Sequence, residues 1–226
     1  MEFVSSGRRR SLALLLLLSG SLPGFAAPPP PAPCPEAAAA LYAPCAACHG
    51  NEGAGNNELS SPAIAGLSEV QLVRQLRHFA LGLRGAHPAE TQGAQMGAMA
   101  KTLPDDAALE AVACHVARLP PLNAASAPPL QLAGGRAAEG AKTFGFCAGC
   151  HGADGRGSVA VGAPGLVFQS DAYLLRQLQA FQQGWRGHDV NDEPGTQMVN
   201  AAEWVRDEQA RRDVLAYLAT LRAAKP

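Results

Sequence analysis

Apolar positions recur on helical faces along most of this chain, and nowhere do they alternate as a half-buried strand would require. Leu72, Leu76 and Phe79 follow Ser68 at helical spacing. Ser68 suits an N-cap, Glu69 suits the first turn, and Gly82 suits the stop. Leu109, Val112, Val116 and Leu119 share one face after Asp105, and Pro120-Pro121 ends that segment. Upstream, Pro35 can start a helix, and an Ala-rich run from Glu36 to about Cys45 continues it. The apolar stripes read as core faces. The expectation is an all-α fold of a few helices joined by long loops.

The pattern then repeats. Ser170, Leu174, Leu178, Phe181 and Gly184 reproduce the first capped helix, and Val214, Leu218 and Leu221 the last one. Every match lies 102 residues downstream of its partner. Between Cys45 and Leu119 this register gives 26 identities in 75 positions without a gap. Ala-rich helices alone would not keep Cys, His, Met, Arg and Gly in one register. The chain therefore reads as two tandem copies of one small domain, residues 27–119 and 136–226. A Pro-, Ala- and Ser-rich linker at 120–135 joins them.

The first 26 residues follow another pattern. Arg8 to Arg10 precede the apolar run Leu12–Leu18, which Ser19, Gly20, Pro23 and Gly24 break before Ala26-Ala27. These are the three regions of a cleaved secretory signal peptide, 1–26. The run is too short to span a bilayer. The mature chain is expected to be exported to the periplasm.

Composition sharpens the picture. Of 226 residues, 47% are hydrophobic but only 5% aromatic, and alanine dominates the apolar set. Small domains so poor in bulky side chains need another source of core. The formal net charge of −1 argues against a nucleic-acid binder held by a strongly basic surface. The halves differ: residues 27–120 carry five positive against eight negative charges, residues 136–226 ten against ten. An acidic first domain, with Glu52, Glu58 and Glu90, could orient docking on a basic partner.

The missing core has a candidate in Cys45-Ala46-Ala47-Cys48-His49 and Cys147-Ala148-Gly149-Cys150-His151. Both are C-x-x-C-H, the attachment pattern of c-type haem. Two cysteines three apart on a helical turn present both sulfurs to one porphyrin edge, and the adjacent histidine turns its imidazole to the iron. A zinc ribbon would hold its two C-x-x-C knuckles about 15–20 residues apart, not a domain apart. A thioredoxin-type pair needs a βαβ setting, and disulfides leave the two histidines unexplained. Met96 and Met198 share one place in the two copies, 47 residues after His49 and His151. A thioether is a soft axial ligand for low-spin haem iron and raises its potential. Met99 aligns with Ala201 in the other copy and reads as packing, while His87 and His188, in the same loops as Met96 and Met198, read as surface residues.

Arg84 and Arg186, twelve residues before each methionine, have two readings: pairing with haem propionates, or solvated helix ends. Gln75, Gln177 and Trp185 read as packing residues. Cys34 and Cys114 lack counterparts in copy two. A disulfide between the first and last helices is one reading, but spacing alone does not fix the geometry it needs.

Together these motifs resemble class I cytochromes c, and their tandem arrangement resembles the diheme c4 type, from about Glu36 to Leu221. The resemblance implies two covalent haem c groups, crossed first and last helices in each domain, and propionate edges near the domain interface. It implies an electron carrier between a donor, such as a quinol-oxidising complex or dehydrogenase, and a terminal oxidase, with peripheral membrane association in some members. One departure is His115, which stands where copy two has the aromatic Tyr217. Two other functions are compatible with the pattern. A cytochrome subunit of a periplasmic dehydrogenase complex differs little in sequence. A diheme peroxidase or thiosulfate-oxidising enzyme would need an open iron site, which two methionines in register argue against.

Overall fold

The computed structural model describes residues 32–123 and 133–223. The proposed signal peptide and most of the linker lie outside the described residues. The first repeat folds as α1 (Ala38–His49), α2 (Glu69–Leu81), α3 (Thr91–Ala100) and α4 (Asp106–Ala117). The second folds as α5 (Ala137–His151), α6 (Asp171–Gln182), α7 (Glu193–Ala202) and α8 (Glu208–Ala223), with a single 3-10 turn (Glu203–Val205) before α8. Among the described residues there is no named strand, only two isolated bridges, Asn56–Ser61 and Ser158–Ala163, in matching places.

The caps follow from local chemistry. Ser68 and Gln71 form a reciprocal capping box on α2, and Gly82 ends it with a left-handed φ of 75°. Ser170 caps α6 and Asp105 caps α4 through side-chain oxygens.

Two features differ from the sequence expectation. The first helix does not stop near Cys45 but runs through the whole C-x-x-C-H motif to His49, as α5 runs to His151. The segments carrying Met96 and Met198 are helices α3 and α7, not loops. Their apolar pattern is thin, and α3 holds two glycines, which are poor helix formers. Tertiary contact supplies what propensity lacks. The turn after α2 presses Gly85 onto Gly93, so closely that a Cβ on Gly85 would fall 2.4 Å from the Gly93 carbonyl oxygen. Gly187 and Gly195 repeat this contact at 2.5 Å. With φ near 80° at both Gly85 and Gly187, only glycine fits.

Each domain is built on a crossing of its first and last helices. Tyr42 on α1 meets His115 on α4 with ring centroids 5.0 Å apart, and Phe144 on α5 meets Tyr217 on α8 at 5.4 Å. His115 thus fills the ring position that Tyr217 fills in the second domain. The buried clusters are small: Tyr42, Leu72, Val112, Ala113 and Val116 in one, and Phe144, Val167, Leu174, Val205, Val214, Leu215 and Leu218 in the other. Each large apolar side chain contributes about 1.5–3 kcal/mol on burial. So few of them leave each domain dependent on further cross-links or a bound group. One cross-link is present: Cys34 and Cys114 are disulfide-bonded, with Cα atoms 5.7 Å apart, tying the entry of α1 to α4.

Candidate functional site

The helix that carries each C-x-x-C-H motif decides how its histidine points. His49 and His151 end α1 and α5 and are each 5% exposed. Nδ1 of His49 lies 2.9 Å from the Pro62 carbonyl, and Nδ1 of His151 lies 2.8 Å from the Pro164 carbonyl. A carbonyl only accepts, so Nδ1 carries the proton and Nε2 keeps its lone pair free. Burial lowers both imidazole pKa values despite these bonds, which keeps the rings neutral. This is the oriented, deprotonated nitrogen a metal ligand requires.

Opposite that nitrogen in the second domain stands a thioether: His151 Nε2 and Met198 Sδ are 3.5 Å apart. Met96 and Met198 are both half-buried, each on the helix that a glycine–glycine contact docks. Met99, read from the sequence as a packing residue, is instead 37% exposed. Cys45, Cys48, Cys147 and Cys150 form no disulfide, and Cys48 and Cys150 lie at the surface. Unpaired cysteines on one helical turn, a neutral histidine and a facing thioether suit a thioether-bound haem iron in chemistry and in order along the chain.

The two domains meet through a pseudo-two-fold set of arginine contacts. Arg74 Nη2 donates to the Gly162 carbonyl at 2.8 Å, and its counterpart Arg176 donates to the Ser60 carbonyl at 2.9 Å. Arg84 donates to Gln75 of its own domain at 2.5 Å and to Gln177 of the other at 2.9 Å. Arg186 donates to Gln177 of its own domain at 2.5 Å and to Gln75 across the interface at 3.0 Å. Each guanidinium also lies over an aromatic ring, Arg84 on Phe79 at 4.4 Å and Arg186 on Phe181 at 4.5 Å. These arginines are not solvated helix ends, and Gln75 and Gln177 are bridging acceptors rather than mere packing. Spacing along the sequence carried no signal for that role, because each glutamine takes its second arginine from the other domain. Trp185 does pack, stacking on the exposed His87 of the first domain with centroids 4.9 Å apart. His188 is exposed.

This interface holds four guanidinium groups against neutral acceptors. Burial, then the Arg84 charge, pull Arg186 down to about 9. Its Nε is buried without a partner, as is that of Arg74. Orphaned cationic donors at this depth suit a carboxylate group, which haem propionates would bring. Asymmetric residues decorate the symmetric frame. The Tyr173 hydroxyl oxygen accepts from Arg84 Nη2 at 3.1 Å, where copy one has Gln71. Burial raises the phenol pKa, but the nearby Arg84 and Arg186 outweigh it and the net shift is downward. Gln169 pairs both ways with the Ala63 backbone at 3.2 and 2.8 Å. The second domain alone exposes a stacked Phe146–Trp204 pair beside Cys147, with centroids 4.3 Å apart. Of the three acidic residues considered for docking, Glu52 and Glu58 are exposed, whereas Glu90 accepts the Gly85 amide at 3.2 Å.

The family model for cytochrome c matches residues 35–120 and again residues 137–222. The chain belongs to the cytochrome c family, as a two-domain member of the diheme c4 type. It is 38% identical over 199 residues to a thiosulfate dehydrogenase electron acceptor from Thiomonas intermedia (strain K12), covering 83% of this chain and 81% of that protein. It is 31% identical over 178 residues to a cytochrome c4 from Pseudomonas aeruginosa, covering 79% and 84%. The crystal structure of reduced recombinant cytochrome c4 from Pseudomonas stutzeri superposes with a TM-score of 0.61 at 26% identity, over 84% of this chain and 98% of that one. The chain is an electron carrier with two covalently bound haem c groups, one for each C-x-x-C-H motif, and it works with redox partner proteins. No helix among the described residues is long and apolar enough to cross a membrane.

Proposed function

We propose that Cys45 and Cys48 hold one haem by thioether bonds, with His49 and Met96 as axial ligands, and that Cys147, Cys150, His151 and Met198 do the same for the other. The observation that carries this reading is the facing pair His151 Nε2 and Met198 Sδ, with the imidazole tautomer held by Pro164. Each haem supplies a one-electron couple, Fe(II)/Fe(III). The protein orients the two ligands, excludes water from them and tunes the potential. Arg84 and Arg186 take the propionates, which places both haems against one interface and lets electrons pass between domains.

The chain is read as exported to the periplasm after cleavage of residues 1–26, with domains at 27–119 and 136–226 and a linker at 120–135. Electrons then run towards a terminal oxidase, with Glu52 and Glu58 helping to orient a basic partner. A second reading is favoured by the Thiomonas relative, a thiosulfate dehydrogenase electron acceptor: this chain accepts electrons from a periplasmic dehydrogenase, with which it would co-purify.

The optical spectrum of the oxidised holoprotein, taken with haem stoichiometry, tests the ligation. Two haems with the red Met–Fe(III) charge-transfer band at full strength support four axial ligands as assigned. A band at half strength or absent rejects at least one methionine.

A further inference from the structure

The domain interface contains one ionisable pair that its pseudo-symmetry does not repeat. His78 on α2 is 8% exposed, and copy two has Ala180 in its place. Its Nδ1 lies 3.7 Å from Oδ2 of Asp192, a residue of the second domain that is 4% exposed. The other Asp192 oxygen is committed, accepting the Gly195 amide at 3.0 Å as the cap of α7. The matching acid in the first domain, Glu90, turns back to the Gly85 amide and has no histidine opposite.

The charges around the imidazole come from every side of the interface. Arg74 lies on its own helix, Arg84 follows that helix, and Arg186 and Asp192 come from the second domain. At 3.7 Å the neutral ring makes no proper hydrogen bond to the carboxylate, but a protonated ring would form an ion pair there. Burial, then the three guanidinium charges, disfavour the protonated form, and only Asp192 favours it. The balance is therefore sensitive to any further negative charge brought to the same interface. Arrival of an electron on a haem is such a charge.

We propose that His78, with Asp192 as its counter-ion, is a redox-linked proton site. When one Fe(III) gains an electron and becomes Fe(II), the neutral imidazole takes one proton from solvent. When the electron leaves, that proton returns to solvent. No bond other than N–H forms or breaks, and the electron comes from the donor protein. The site rests on the reading that Arg84 and Arg186 hold both haems at this interface, and not on which residues close the irons, so failure of the methionine assignment would leave it standing.

Spectroelectrochemical titration of the full holoprotein across pH 5 to 9 tests this. A midpoint potential should fall as pH rises, because loss of the imidazolium removes a cation that favours the reduced state. His78→Ala should flatten that pH dependence, and Ala180 shows that this position of the fold accepts alanine. Asp192→Asn keeps a capping oxygen for Gly195 and should move the titration to lower pH. The His78 ring resonance, followed by NMR, should titrate at higher pH in the reduced protein than in the oxidised one. Haem propionates remain in every variant, so a pH slope that survives His78→Ala unchanged assigns the proton to them and overturns the proposal. Equal His78 titration in the two redox states overturns it as well.

Discussion

Arg84 Nη2 of the first domain lies 2.9 Å from Gln177 Oε1 of the second, and that same oxygen accepts from Arg186. One amide oxygen thus holds two buried cations from opposite domains. Replacing Gln177 by Leu leaves both guanidinium groups short of an acceptor. The expected cost is about 1–3 kcal/mol, the usual penalty for orphaning a buried donor. It should appear as a lower Tm of the holoprotein in calorimetry. An unchanged Tm would mean that the interface does not stabilise the fold.

The arginines also act on potential. A fixed buried cation favours the reduced, less positive haem. Arg186→Gln should therefore lower a midpoint potential while leaving both haems attached. Redox titration against the parent checks the sign, and a rise would contradict the placement of Arg186 beside a propionate.

Ligation predicts a paired outcome. Met96→Ala and Met198→Ala should each remove about half of the Met–Fe(III) band, and the double variant all of it. The absorbance ratio to total haem reads this directly. Loss of the whole band in a single variant would mean that the two sites are not independent.

The disulfide divides the domains by stability. Cys34→Ser with Cys114→Ser should destabilise the first domain by about 2–5 kcal/mol, the range for losing a native disulfide. The second domain has no such bridge among its described residues, so its unfolding should not move. Thiol labelling of the denatured parent should reach Cys34 and Cys114 only after reductant is added.

Acid stability turns on Asp213. It is 3% exposed, bonds Arg136 at 2.6 Å and Gln209 at 2.7 Å, and these contacts bring its pKa down to about 2. A folded pKa below the ordinary carboxylate value of 3.8 means its contribution is present above that value. That contribution is lost as pH falls from there towards 2. Thermal melts over this window should show the loss in the parent, and a flatter profile in Asp213→Asn.

Much of the molecule was legible before any coordinates. The repeat at offset 102, the capped helices after Ser68 and Ser170, the two C-x-x-C-H motifs and the shared place of Met96 and Met198 are all local or periodic features. Such features are written in neighbouring residues, because caps and helical faces depend on spacing along one helix. The helices under Met96 and Met198 were not legible, since their order comes from Gly85 on Gly93 and Gly187 on Gly195, contacts between backbones that propensity does not encode. The Cys34–Cys114 bond stayed open in the sequence for the same reason, since 80 residues separate its ends. The interface was hidden most completely. Arg84 stood out as a possible propionate partner, but its acceptors Gln177 and Tyr173 in the other copy, and the pair His78 and Asp192, each look ordinary within their own copy. Composition and motif determined what each domain binds. Which charges meet between the domains was decided only when two unlike copies of one fold were packed face to face, where burial turns single substitutions between repeats into unpaired or newly paired charges.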